Sequence, residues 1–181
     1  MNKYIDSHIK LQKRKYGKIG RNFLIMFVPL LFVVFVIMTI FPAYVIHKHV
    51  DIKFGIIFPV NIILGMLFSI AGLIIYIWTI ILFSRVDGTQ IPIAPTQKLV
   101  VTGPYAITRN PMLTGAMIVV VGLGIMIDSL VFIMISMIVP SIYLCYIKLV
   151  EEKELEARFG EEYKNYKINT PFFVPKFRRK K

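Results

Sequence analysis

IIFPVNIILGMLFSIAGLIIYIWTIILF, residues Ile56 to Phe83, runs for 28 positions without a charged side chain. Crossing the hydrocarbon core of a bilayer takes about 20 apolar residues in a helix. This stretch is therefore long enough to cross with a tilt, or to begin with an irregular turn at Pro59. Its reading sets the class of the whole chain, because the solvent for such side chains is lipid. The composition agrees: 56% of the 181 residues are hydrophobic, and mean hydropathy is +0.68. A soluble domain of this size has far more surface to wet.

Three further apolar segments surround it: Asn22 to Phe41, ended by Pro42; Met112 to Ile127; and Leu130 to Ile147. Only Asp128 and Ser129 separate the last two, which read as a tight helical hairpin. The expected fold is all-α and polytopic, a single membrane domain over residues 1–181 with about four transmembrane helices and a cytoplasmic C-terminal helix. That last helix is read from EEKELEARFGEEYKNYK, 151 to 167. Its composition favours helix, and Lys148/Glu152 and Glu154/Arg158 stand at i, i+4 spacing. Between Leu130 and Phe159 only Pro140 interrupts the pattern, so the fourth span is expected to run on, bent at that proline. Glu151 and Glu152 would then stand at the lipid boundary beside the loop of residues 84–111.

Charge placement gives orientation. Of the 22 Lys and Arg residues, only Lys48 and Lys53 fall between the first two spans, and none falls in the Asp128 turn. The other 20 lie in the N-terminal arm, the 84–111 loop or the C-terminal part, which places those regions and both termini in the cytoplasm. The net charge of +12 follows from the same bias. Basic ends such as KFRRKK, 176 to 181, are expected to hold anionic lipid headgroups rather than nucleic acid, since they flank spans and carry no nucleic-acid-binding signature. Residues 1–21 are basic and lack the order of a signal peptide.

The remaining puzzle is VVTGPYAITRNPM, Val100 to Met112, inside a polar loop of 28 residues. Asn110 and Pro111 suit the start of a helix as N-cap and first residue. A helix start with an interfacial arginine would need far fewer residues than this loop contains, and connections of such length tend to be functional or disordered. Ile91, Ile93, Leu99, Val100 and Val101, with four prolines, argue for order. The loop is thus expected to form the wall of a pocket.

GTQIPIAPTQKLVVTGPYAITRNPM, followed after a hydrophobic hairpin by EEKELEARFGEEYKNY and Pro171, resembles the isoprenylcysteine carboxyl methyltransferase family. That family belongs to a wider group of integral-membrane methyltransferases that includes the phospholipid N-methyltransferases. The resemblance covers Gly88 to Pro175, about half of the chain. It implies an enzyme that takes S-adenosylmethionine from the cytosol and a lipophilic methyl acceptor from the bilayer. The family's cofactor contacts correspond here to Gln90, to Gln97, Lys98, Leu99 and Val100, to Tyr105, to Asn110, Pro111, Met112 and Leu113, and to Glu151. Leu99 and Val100 would offer an apolar slot for the adenine, Tyr105 a ring for the sulfonium, and Glu151 a partner for the methionine ammonium. Arg109 is assigned to the methionine carboxylate or a lipid phosphate.

The chain departs from the family where many relatives have His, here Asn110, and Tyr, here Leu113. An amide takes no proton at neutral pH, so no general base is expected at Asn110. An ionised carboxylate or thiolate acceptor attacks without one, while an amine acceptor would leave Glu152 or solvent as the base. The expected catalytic set is thus Arg109, Asn110 and Glu152. In eukaryotic members an arginine helps hold the prenylcysteine carboxylate; Ile147 occupies that place, with Lys148 beside it, which counts against a prenylcysteine substrate.

Other features carry simpler readings. His47 and His49, two apart with no acidic cluster, are a weak metal signal, and no metal is expected. Gly115, Gly122 and Gly124 read as close helix packing. Phe159, Tyr163 and Tyr166 read as an aromatic patch that docks the tail helix. Cys145, the lone cysteine, reads as a packed thiol. Two other functions stay open at this stage: an NADPH-dependent membrane reductase, for which Lys98 and Arg109 are the loop's cationic ligands, and a non-catalytic membrane scaffold.

Overall fold

A computed structural model of the protein describes residues 18–50, 52–85 and 98–173. Among them the regular structure is helical, and there is no strand, only one isolated bridge between Lys53 and Ser129. The order is α1 (Lys18–His47), α2 (Val60–Ser84), a short 3-10 turn (Gly103–Ala106), α3 (Pro111–Met126), α4 (Leu130–Ser136), α5 (Ile138–Tyr146), a π-helical segment (Ile147–Glu151), α6 (Glu152–Phe159) and α7 (Glu161–Asn169).

Three stretches are long and apolar enough to cross a membrane: Pro29–His47, Val60–Leu82 and the nearly continuous run Leu130–Phe159. Helix α3 is apolar but only 16 residues long. At 1.5 Å per residue it covers about 24 Å, short of the roughly 30 Å of hydrocarbon. Large apolar side chains stand exposed on these helices, among them Leu30, Phe41, Leu67, Ile74 and Met134. On a soluble protein that surface would be a liability; in lipid it is the ordinary outer face.

The first span differs from the sequence reading. Pro42 does not end α1, which continues to His47. Proline removes the bond to the Met38 carbonyl, yet a membrane helix tolerates this loss because lipid offers the backbone no better alternative. The fourth run does continue past Ile147 to Phe159. It is interrupted at Met137, three residues before Pro140, where the missing proline N–H leaves the Ser136 carbonyl without its usual donor.

The described residues group into two compact units. The first contains Leu30–Ile77 and Met112–Cys145. Its tightest packing is backbone on backbone, between α2 and α3. A Cβ on Gly122 would lie 2.6 Å from the Gly65 carbonyl oxygen, and one on Gly115 would lie 2.7 Å from that of Gly72. Gly65 and Gly72, and Gly115 and Gly122, are each seven residues apart, which places each pair on one helix face. With no hydrophobic drive between helices in lipid, such close approach is what holds them together. A small apolar cluster of Ala43, Val120 and Phe132 joins α1, α3 and α4.

Polar bonds fasten one end of this unit. The Ile56 N–H donates to the Asp128 carboxylate at 3.2 Å, and Asn61 Nδ2 donates to the Met126 carbonyl at 2.9 Å. The Leu130 N–H reaches the Ile52 carbonyl at 2.9 Å. Ser129 caps α4 by accepting from the Phe132 N–H, and its hydroxyl also pairs with His47 Nδ1 at 2.8 Å. The α1–α2 connection and the α3–α4 turn thus lie side by side.

Candidate functional site

The second unit takes in α2 from Trp78, the chain up to Pro111, and the helices after Tyr146. It holds most of the residues that the sequence singled out. Gly103 has φ +60°, a left-handed backbone that a side chain would strain, and it lies against Trp78 and Leu82. The turn it permits carries Tyr105 and leads to Thr108, Arg109 and Asn110. From the other side, the π-helical segment Ile147–Glu151 hands over to α6. Such widened turns inside helices recur at functional sites.

Glu151 and Glu152 flank that junction. Successive helical residues project about 100° apart, so the two acids point in different directions. Glu152 is buried and its Oε1 is paired with Arg109 Nη1. Its other oxygen lies 3.3 Å from the ammonium of Lys167, which also meets Glu156 at 2.7 Å. Glu151 is half-buried and pairs with no cation among the described residues.

Gly160, at φ +55°, separates α6 from α7 and lets the tail fold back. Tyr163 and Tyr166 are buried by that return and meet edge to face at 6.1 Å. The Tyr166 hydroxyl donates to the Tyr105 carbonyl at 2.7 Å. Burial raises both phenols well above the usual tyrosine range, so they remain neutral donors. Glu152 and Glu151 push Tyr163 further up, and Arg109 opposes them.

Past α7 the chain crosses the 108–110 segment. The Arg109 N–H donates to the Pro171 carbonyl at 3.0 Å. Thr108 Oγ1 and Asn110 Nδ2 donate to the Phe172 carbonyl at 3.2 and 2.8 Å. The Phe172 ring lies 5.4 Å from the Arg109 guanidinium, within cation–π range. The Arg109 Nε–H, buried, has no hydrogen-bond partner among the described residues.

Arg109, Asn110, Glu152 and Tyr105 therefore gather in one region with Glu151 nearby in the chain. Lys98 is exposed, and Leu99 and Val100 are half-buried, at the start of the described part of the loop. Gln90 and Gln97 lie outside the described residues. Pro111 is buried as the first residue of α3, while Met112 and Leu113 belong to the first unit. Both Glu152 carboxylate oxygens are engaged, one by Arg109 and the other by Lys167. The sequence reading missed Thr108, Lys167 and Phe172, of which Phe172 acts largely through its carbonyl, a group that carries no residue signature.

What this region can do follows from two of its groups. A guanidinium N–H without an acceptor among the described residues and the acid side chain of Glu151 complement the carboxylate and ammonium of a free α-amino acid. Among the described residues no group of three or more His, Cys, Asp or Glu could hold a metal ion.

A model of the phospholipid methyltransferase family matches residues 60–162, from the first residue of α2 into α7. No curated protein matches the chain.

Proposed function

Because the chain belongs to the phospholipid methyltransferase family, we propose that it transfers a methyl group from S-adenosylmethionine to a lipid-like or small amphiphilic acceptor in the membrane. The observation that carries this reading is the buried Arg109 Nε–H, which has no hydrogen-bond partner among the described residues, together with the acid side chain of Glu151 at the start of α6. They fit the amino-acid end of that cofactor. Glu151 would hold its ammonium and Arg109 its carboxylate, with Leu99, Val100 and Tyr105 toward the adenosine and the sulfonium. When bound, S-adenosylmethionine supplies an electrophilic methyl group.

The chain's own residues bind, orient and exclude water. The Glu152 carboxylate neutralises the Arg109 guanidinium and fixes its plane, so that Nε rather than Nη1 is left for a ligand. Asn110 orients the segment through the Phe172 carbonyl and moves no proton. With Glu152 held by two cations, the arrangement favours acceptors already ionised at neutral pH, a carboxylate or a thiolate. For these, alignment and desolvation supply the rate.

The same reading places four spans in the bilayer, with α3 the shortest, both termini and the site cytoplasmic, and the basic ends on anionic headgroups. A lipophilic acceptor would enter sideways from the lipid. The deciding experiment is isothermal titration of the detergent-purified protein with S-adenosylhomocysteine and, separately, NADPH. Binding of the former alone is expected. Binding of NADPH alone would replace this reading with a reductase, and binding of neither would leave a scaffold.

A further inference from the structure

Four charged side chains form an unbroken chain of ion pairs, the first two partly exposed and the last two enclosed: Glu156, Lys167, Glu152 and Arg109. Lys167 is the hinge of that series. It stands in the last turn of α7, where a cation is favoured by the helix dipole. Next to it Tyr166 grips the Tyr105 carbonyl, and four residues on from Lys167 begin the carbonyls that accept from Thr108, Arg109 and Asn110. Seven residues, 166 to 172, thereby hold the six of 105 to 110 through side chains and backbone together. This segment lies wholly after residue 162, where the family match ends.

We infer that Lys167 and Tyr166 are positioning residues of the methyltransferase site: they clasp the 105–110 segment in the form that presents Tyr105 and Arg109 to the cofactor. The inference rests on the proposed function for its ligand but not for its geometry. Neither side chain needs to touch the reacting atoms. Lys167 acts through Glu152 on the guanidinium, and Tyr166 acts through the Tyr105 backbone.

The chain's lone tryptophan allows a test without any ligand. Trp78 lies against Gly103, two residues before the clasped segment. Acrylamide quenching of its fluorescence is compared in full-length wild type, Lys167→Gln, Lys167→Arg and Tyr166→Phe, alongside titration with S-adenosylhomocysteine. The clasp predicts that Lys167→Gln and Tyr166→Phe change Trp78 quenching and weaken binding about two- to fivefold, the span expected of a partly exposed ion pair or a single hydrogen bond. Lys167→Arg should restore both. A fall in melting temperature with Trp78 quenching unchanged well below the transition would overturn the inference, since a purely structural residue behaves that way. Wild type that binds no S-adenosylhomocysteine would sink the proposed function, and the Trp78 comparison would still decide the clasp.

Discussion

Arg109 and Glu152 are 43 residues apart in the chain and form an ion pair, with side chains only 10% and 5% exposed. Two charges so enclosed are held by each other; removing one leaves the other desolvated and alone. Glu152→Gln should therefore cost about 3 to 5 kcal/mol of stability, the usual penalty for breaking a buried pair from one side. Denaturant or thermal unfolding in detergent measures it. A loss below about 1 kcal/mol, the range of exposed pairs, would mean that water reaches the pair.

Glu151→Gln should behave in the opposite way. Its side chain meets no described cation and faces the charges of Glu152 and Glu154, so unfolding should be no easier than in wild type, while affinity for S-adenosylhomocysteine should fall. Losing one charge-assisted bond of about 1.5 to 3 kcal/mol weakens binding roughly tenfold or more. Unchanged affinity in that variant would remove Glu151 from the site.

The contrast between these neighbours shows where the sequence was legible. Spans are written in long apolar runs, and the all-helical architecture was readable from them. The helix end at Pro42 was misread because lipid changes the cost of a proline. That Glu151 and Glu152 differ depends on the angle between successive helical side chains and on a partner 43 residues away, which no local pattern contains. The clasp on the loop is hidden more deeply, since the Pro171 and Phe172 carbonyls that accept its bonds are the same in every residue type. Gly115 and Gly122 could be read as packing positions, but their partners Gly65 and Gly72 appear only once α2 and α3 are side by side.

Those glycines give a third expectation. Gly122→Ala places a methyl group 2.6 Å from the Gly65 carbonyl oxygen and 2.4 Å from the Ser69 hydroxyl oxygen. Helices α2 and α3 must part to admit it, at a cost of about 1 to 3 kcal/mol typical of overpacking. Gly115→Ala, meeting the Gly72 carbonyl, should act alike, and each should lower the melting temperature in detergent. A variant as stable as wild type would show that the two backbones do not meet there.

The ionic half of the clasp should have a pH limit whose sign is fixed by Lys167. Its ammonium is held above the usual lysine range by its hydrogen bond to Glu156 first, with Glu152 adding to the effect and partial burial opposing it. A raised folded-state pKa means that the contribution is complete below the ordinary value of about 10.4 and is lost as pH climbs through the higher folded one. Burial raises Tyr166 as well, so its bond to Tyr105 also persists into the alkaline range. The difference in Trp78 quenching between wild type and Lys167→Gln should then be constant from neutral pH into the alkaline range and vanish only above the lysine range. If the two proteins converge near neutrality, a group other than Lys167 holds the loop.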